Sequence, residues 1–476
     1  MIATIACAIV AAVVVGIVLT RNPGRFTRTF YNLEFLSIKI YLVISIRTTT
    51  ASVRPSATVS ASWSFDNVTT DFYATYDGAL LNGASYSPLS TTQPYLGNGR
   101  ALNLVSSLSQ SFLIATPFLN LSYTSFTIEA WLYSTTSYTG DNSIFSQCQC
   151  VTCANQCLHF LVRGGRLYAG FILNDVTGST TLTSNLWYHV AFVYNYDTQQ
   201  QIVYVNGIQD GIKSNADSYQ GTNGSMQIGW ANAAVAPNYF NGYIDNVKVM
   251  TRAKAAAEIL SAASLVAYYS FDLPTPRMDN GPNGLNGIAV STAIVPGRVN
   301  QAMRFTGASS YFQAYGFYEI GYGVNINRPF SISMWINPSS VISSTFLQQS
   351  TSQSGGSCLN MIGFYSPTSL AGQLVVQTYG FPTIYGPFIT VNTWTHFSWT
   401  YSPTNGYTLY IDGLVFGSTG ASTLQASGAI TWLHVGYNFA CTAGNINNAA
   451  YQGSIDEIYI HNRELTQSDV TALAHP

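Results

Sequence analysis

Carboxylates are the first residues to weigh for chemistry, because acid–base hydrolysis of a glycosidic bond needs two of them held about 5 Å apart for retention. The chain has six glutamates, Glu34, Glu129, Glu258, Glu319, Glu457 and Glu464, and none sits in a run of alternating acids. Glu129 stands alone among apolar residues. Asp456 and Glu457 are adjacent, so on a strand they point to opposite faces. Neither Gly-x-Ser-x-Gly nor His-Glu-x-x-His occurs. No catalytic residue is assigned and a non-enzymatic protein is expected. His189 and His396 each follow a tryptophan by two positions. With no acidic or cysteine cluster beside them, both read as histidines packed within a strand.

The cysteines carry a different chemistry. Cys7 lies in an apolar run; Cys148, Cys150, Cys153, Cys157, Cys358 and Cys441 lie outside it. Cys148 to Cys157 could be four zinc thiolates, but all four ligands would come from one ten-residue stretch. An even number of cysteines outside the apolar run, four in one half and two in the other, is what intradomain disulfides require in an exported chain. Two disulfides are expected among the first four, with three connectivities open. Cys358 is expected to pair with Cys441. No metal site is assigned.

Composition narrows the partners. Charged residues are 8% and aromatics 14% of the 476 residues, with 32 Tyr and 25 Phe, and the formal net charge is −2. No Lys/Arg run offers a face to nucleic acid. Three Asn-x-Ser/Thr sequons, at Asn67, Asn120 and Asn223, mark sites open to glycosylation after export.

Ile2 to Leu19 is an uncharged apolar run long enough for one transmembrane helix, and it lacks the basic start of a cleaved signal. Residues 1–20 are read as an anchor (a signal segment being the alternative). Arg21, Arg25 and Arg28 would hold the following side in the cytoplasm by the positive-inside rule, against the sequons and cysteines. Weighing the latter more heavily places the protein in the cell membrane, single-pass with extracellular C-terminal domains, or else secreted. Residues 21–59 follow as a juxtamembrane segment, strand-like from Leu36 to Ile46, and a Ser/Thr-rich linker.

The elements that must position any site come from an internal repeat with a period of about 206 residues. Ala61-Ser-Trp-Ser-Phe-Asp66 returns as Ala267-Tyr-Tyr-Ser-Phe-Asp272, and Phe126-Thr-Ile-Glu-Ala-Trp131 as Phe330-Ser-Ile-Ser-Met-Trp335. Asn185-Leu-Trp-Tyr-His189 returns as Asn392-Thr-Trp-Thr-His396, Tyr204-Val-Asn-Gly207 as Tyr410-Ile-Asp-Gly413, and Gly242-Tyr-Ile-Asp-Asn246 as Gly453-Ser-Ile-Asp-Glu457. Each block alternates as a strand does, and Asn206-Gly207 and Asp412-Gly413 signal type I′ hairpins. Short helices are expected over Lys254–Leu260 and Leu465–Leu473. The domains are therefore 60–263 and 264–476, both all-β.

With these blocks in hand, the chain resembles the laminin-G-like jelly rolls of the concanavalin-A-like lectin/glucanase superfamily. The matching motifs are Trp187-Tyr-His-Val-Ala191, Tyr204-Val-Asn-Gly207, Ile228-Gly-Trp230 and Phe240-Asn-Gly-Tyr-Ile-Asp245, with their second copies from Trp394 to Asp456. The resemblance implies two tandem antiparallel jelly-roll β-sandwiches behind the anchor. It implies that Asp245 and Asp456, in the Gly-x-Ile-Asp turn, accept backbone amides. It also implies a recognition role: such domains present ligands on rim loops or a sheet face. Trp230, Asn238, Tyr239, Tyr437 and Asn438 are the loop residues assigned to ligand binding, with glycans or extracellular proteins as partners. No cofactor is expected. Similar pentraxins take calcium on an acidic loop, which here has lost its acids, although Asp66 or Asp272 remain at the rim. The competing expectations are an adhesive cell-surface protein without a small ligand and, last, a glycan-processing enzyme.

Overall fold

The computed structural model describes residues 59–88, 99–232, 238–321, 328–342, 344–356, 358–365, 368–378, 382–423, 429–437, 439, 446 and 449–476. The expected anchor, the Leu36–Ile46 segment, Asn438 and Cys441 lie outside these residues. Among the described residues no helix is long and apolar enough to cross a membrane.

Alternating bulk on both faces of the repeated blocks places them between a core and a covering layer, and that is where they lie. In the first copy an eight-stranded sheet runs in the order Ile208–Lys213, Gln200–Val205, Trp187–Asn195, Phe126–Ser134, Gly242–Met250, Leu102–Leu104 and Ser85–Tyr86, with Val59–Trp63 also paired to Gly242–Met250. Facing it is a seven-stranded sheet: Asp175–Thr177, Arg166–Gly170, Cys157–Arg163, Asp141–Cys148, Met226–Ile228, Ser111–Ile114 and Ala79–Leu81. Phe126, Ile128, Ala130 and Leu132 from one sheet meet Phe145, Leu158, Phe160 and Ile228 from the other in one buried core. Two such facing sheets make a sandwich.

The second copy reproduces this order strand for strand. Its eight-stranded sheet runs Leu414–Ser418, Gly406–Ile411, Thr395–Ser402, Phe330–Pro338, Gly453–His461, Gln301–Phe305 and Thr292–Pro296, with Leu265–Tyr269 on Gly453–His461. Its seven-stranded sheet runs Ile384–Phe388, Gln373–Thr378, Cys358–Phe364, Thr345–Ser350, Trp432–Val435, Tyr311–Tyr315 and Gly287–Val290. A separate core, including Phe330, Phe346, Trp399 and Leu433, fills it. Both hairpins take the expected turn: Asn206 and Gly207 have φ of 49° and 81°, Asp412 and Gly413 of 47° and 84°.

The helices differ in extent from the expected spans. The first, α1, is Ala256–Ser264, running directly into the strand that opens at Leu265, and the second, α2, is Gln467–Leu473. Each is tied down alike. Thr127 Oγ donates to Arg252 O, and Arg252 forks onto Glu258 of α1 at 2.8 and 2.5 Å; Ser331 Oγ donates to Arg463 O, and Arg463 reaches Asp469 of α2 at 2.8 Å. Glu258 and Asp469 also accept the backbone N–H three residues earlier, from Ala255 and Thr466, which caps each helix start.

Candidate functional site

Of the expected loop residues, Trp230, Asn238 and Tyr239 sit on the face of the first seven-stranded sheet that points away from the core. Trp230–Ala231 and Asn238–Tyr239 form a two-stranded ribbon over the strand Asp141–Cys148, with Trp230 paired to Tyr239 and their rings stacked at 6.0 Å. Asn238 is half-buried and its Nδ2 donates to Asp141 Oδ2 at 3.2 Å. Trp230 lines a pocket of 230 Å³ whose other walls include Ser146, Cys148, Gln149, Gln227 and Asn232. Ser146 Oγ fixes the ribbon by donating to Trp230 O at 2.8 Å. The indole Nε1 is buried and has no hydrogen-bond partner among the described residues. No lining residue is charged.

Cys148, which lines this pocket, is disulfide-bonded. Cys148 pairs with Cys157 across neighbouring strands, and Cys150 with Cys153 in the loop between them. This settles the connectivity that spacing left open. Cys358 opens the strand equivalent to that of Cys157, but Ser350 stands across from it where the first sandwich has Cys148; its expected partner Cys441 is outside the described residues.

Beyond the ribbon the same face is closed by internal pairing. Arg163 forks onto Asp141 at 2.6 Å for both contacts and lies 4.0 Å above the Tyr168 ring, whose other neighbour is the stacked His159. Tyr168 donates to Asp175 at 2.8 Å, and His159 Nε2 is 3.1 Å from the same carboxylate. Burial would raise the Asp175 pKa, but His159 and Tyr168 outweigh it and hold the carboxyl below the usual range.

In the second sandwich the equivalent face is packed shut near the ribbon position. His434 holds the place of Gln227, and Gln348 that of Ser146. Phe439 lies against the His434 ring at 4.7 Å, and its backbone exchanges bonds of 2.9 and 3.2 Å with the Gln348 amide. Tyr437 packs edge-on against Phe439 at 5.0 Å.

Ser350 and His434 form a Ser–His pair, at 3.2 Å, that the sequence did not suggest. Its wiring opposes nucleophilic use. Gln313 Nε2 donates to Gln353 O at 2.8 Å, which fixes the amide, and the same nitrogen faces His434 Nδ1 at 3.1 Å. Nδ1 therefore accepts, Nε2 carries the proton toward Ser350, and Ser350 Oγ donates to Ser352 O at 2.6 Å. A base must present a bare nitrogen to the hydroxyl it activates. Burial lowers the His434 pKa to about 4, which keeps the ring neutral.

The remaining acids are occupied structurally. Asp456 Oδ2 accepts the Arg298 and Val299 amides at 2.8 and 3.0 Å, and burial raises its pKa to about 7. Asp245 accepts the Asn246 amide at 2.8 Å. Glu457 accepts from Tyr268 and Tyr459, whose rings stack at 4.2 Å. Asp66 and Asp272 accept the Arg100 and Gln301 amides at 2.8 and 2.9 Å, closing the two opening loops. Among the described residues no group of three or more His, Cys, Asp or Glu could hold a metal ion. His189 and His396 are buried and pack on Trp131 and Trp335 at 5.3 and 5.2 Å, as strand histidines.

Sequence reasoning missed the outer face of the first eight-stranded sheet. Trp131 and Trp187 there belong to one buried cluster with Tyr318 and Ile430 of the second sandwich. Glu129, on the same face, is 2% exposed and held by Lys254 at 2.7 Å, with His189 at 3.6 Å. The only signal in the sequence was one acid in an otherwise apolar strand.

The profile of the concanavalin A-like lectin/glucanases superfamily matches residues 109–260 and 307–471. The chain belongs to this superfamily. No curated protein matches it. Among solved structures it is similar to domain 4 of AbnA, a GH43 extracellular arabinanase from Geobacillus stearothermophilus in complex with arabinotriose, at 22% identity and TM-score 0.34 over 44% of this chain and 98% of that one. It is similar to the binding domain of Paraclostridial Mosquitocidal Protein 1 at 18% identity and TM-score 0.35, over 45% of this chain and 52% of that one. The native heptameric SAP-like pentraxin from Limulus polyphemus is similar at 16% identity and TM-score 0.25, over 31% of this chain and 70% of that one.

Proposed function

We propose that this protein is a non-catalytic recognition module working outside the cell, which binds glycans or extracellular proteins and is held at the membrane by Ile2 to Leu19. The observation that carries the reading is the uncharged pocket lined by Trp230, Gln149 and Gln227 on the outer face of the first sandwich. Export is supported by the paired cysteines and by the exposure of Asn67, Asn120 and Asn223. Against catalysis stand the Ser350–His434 polarity and the structural employment of Asp456 and Glu457.

The test is a glycan array probed with the full chain, with and without calcium. Selective binding to a set of glycans is the expected result, unchanged by chelation. A blank array alongside cell adhesion to the immobilised chain would replace this reading with the adhesive one.

A further inference from the structure

We infer that the Trp230 pocket receives a single neutral pyranose ring, and that among the described residues only the first of the two sandwiches keeps this site open. The inference rests on the recognition reading above and narrows it to one ligand class. A sugar ring offers a C–H face that packs on an indole and hydroxyls that both donate and accept. The pocket supplies matching groups: the Trp230 indole, the Gln227 amide, which makes no side-chain hydrogen bond among the described residues, and Gln149, whose Oε1 is already taken by Thr222 at 2.7 Å so that its NH₂ is left to donate.

Size and charge set the class. At 230 Å³ the cavity falls below the roughly 300–1,000 Å³ of sites that enclose drug-sized ligands. It therefore takes one ring, the end of a glycan, and not a stretch of chain. With no Arg, Lys or His in the lining there is nothing to neutralise a uronate or sialate carboxylate. The nearby Arg163 is committed to Asp141 at 2.6 Å.

The second sandwich shows the same location in a filled state. Where Gln227 leaves its amide uncommitted, His434 has both nitrogens engaged and its face covered by Phe439. Where Ser146 stands beneath the first ribbon, Gln348 is spent on the Phe439 backbone. Phe439 thus lies on His434, the residue equivalent to the Gln227 that lines the pocket of the first sandwich.

The experiment uses ¹⁹F NMR of the full chain carrying 5-fluorotryptophan, with Trp230→Phe identifying its resonance. Methyl glycosides of glucose, galactose and mannose are titrated to 100 mM, with glucuronic and sialic acid as charged probes. A saturable shift of the Trp230 signal with at least one neutral glycoside is expected, with the Trp432 signal unmoved. Gln227→Ala should weaken that titration at least fivefold while leaving the spectrum dispersed. A positive glycan array with a silent Trp230 would overturn the site and leave the recognition reading standing. A blank array and a silent Trp230 together would remove both. An equal response to glucuronic acid, or a matching shift at Trp432, would overturn the neutrality or the asymmetry.

Discussion

The two sandwiches share their strand order throughout, yet they solve the same buried position in opposite ways. In the first, Glu129 and Lys254 meet as an ion pair with side chains 3% and 7% exposed. In the second, the aligned residues are Ser333 and Leu465: Ser333 bonds to Ser398 across the strand, and Leu465 packs with Tyr410 and Val470 under α2. The frame around both is constant, because Lys254 N and Leu465 N each donate to the preceding hydroxyl, Thr127 or Ser331, at 3.0 and 2.9 Å. One backbone arrangement thus tolerates either an ionic or an apolar filling, provided the filling is internally complete.

This comparison can be broken most forcefully at Lys254. Lys254→Met strands a buried carboxylate and should cost about 3–5 kcal/mol, read as a lowered denaturant midpoint with hydrogen exchange rising first in the first sandwich. Glu129→Ser with Lys254→Leu writes the second sandwich's residues into the first and should recover most of that loss. If the double variant is as weak as the single one, the two solutions are not interchangeable.

The Cys148–Cys157 disulfide supplies the next contrast. Cys148→Ser with Cys157→Ser gives the first sandwich the serine that the second carries at position 350. Losing this short cross-link should cost about 2–3 kcal/mol, read as a lowered denaturant midpoint of the variant relative to the oxidised wild type, with the gap closing when both are compared under reducing conditions. Because Cys148 lines the Trp230 pocket, any glycoside titration there should weaken in parallel.

A smaller effect distinguishes His434 from Gln227. Burial lowers the His434 pKa to about 4, below the free value of 6.5, so the unfolded chain takes up a proton first as the pH falls. Its share of stability is present above pH 6.5 and is lost on going down toward pH 4. The raised pKa of Asp456, about 7, acts in the opposite sense over much of that range. His434→Gln installs the first sandwich's residue and should reduce the acid-side slope of stability by at most about 1.4 kcal/mol per pH unit. Equilibrium unfolding at pH 4.5, 5.5 and 6.5 measures it; an unchanged slope would show that His434 titrates normally.

Much of the architecture was legible in the residues because its causes are local. Asn206-Gly207 and Asp412-Gly413 demand positive φ at both positions, and the Phe126 and Phe330 blocks alternate with the period of a strand facing a core. Since those signals recur in order, the second sandwich followed from the first. Trp230 and Tyr239 were also readable as loop aromatics, but Asn238 was not readable as a partner of Asp141, 97 residues away.

What the sequence alone determined, then, was the repeat, the hairpins, the strand periods, the even cysteine count and the lack of paired acids, all properties of neighbours along the chain. Tertiary structure alone decided which cysteines pair, that Phe439 closes one face while Trp230 leaves the other open, that Ser350 meets His434 with the proton on the wrong nitrogen for catalysis, and that Glu129 lies buried against Lys254. Each of these depends on contacts between residues far apart in sequence, and no local propensity encodes which of several chemically acceptable partners the fold will bring within 3 Å.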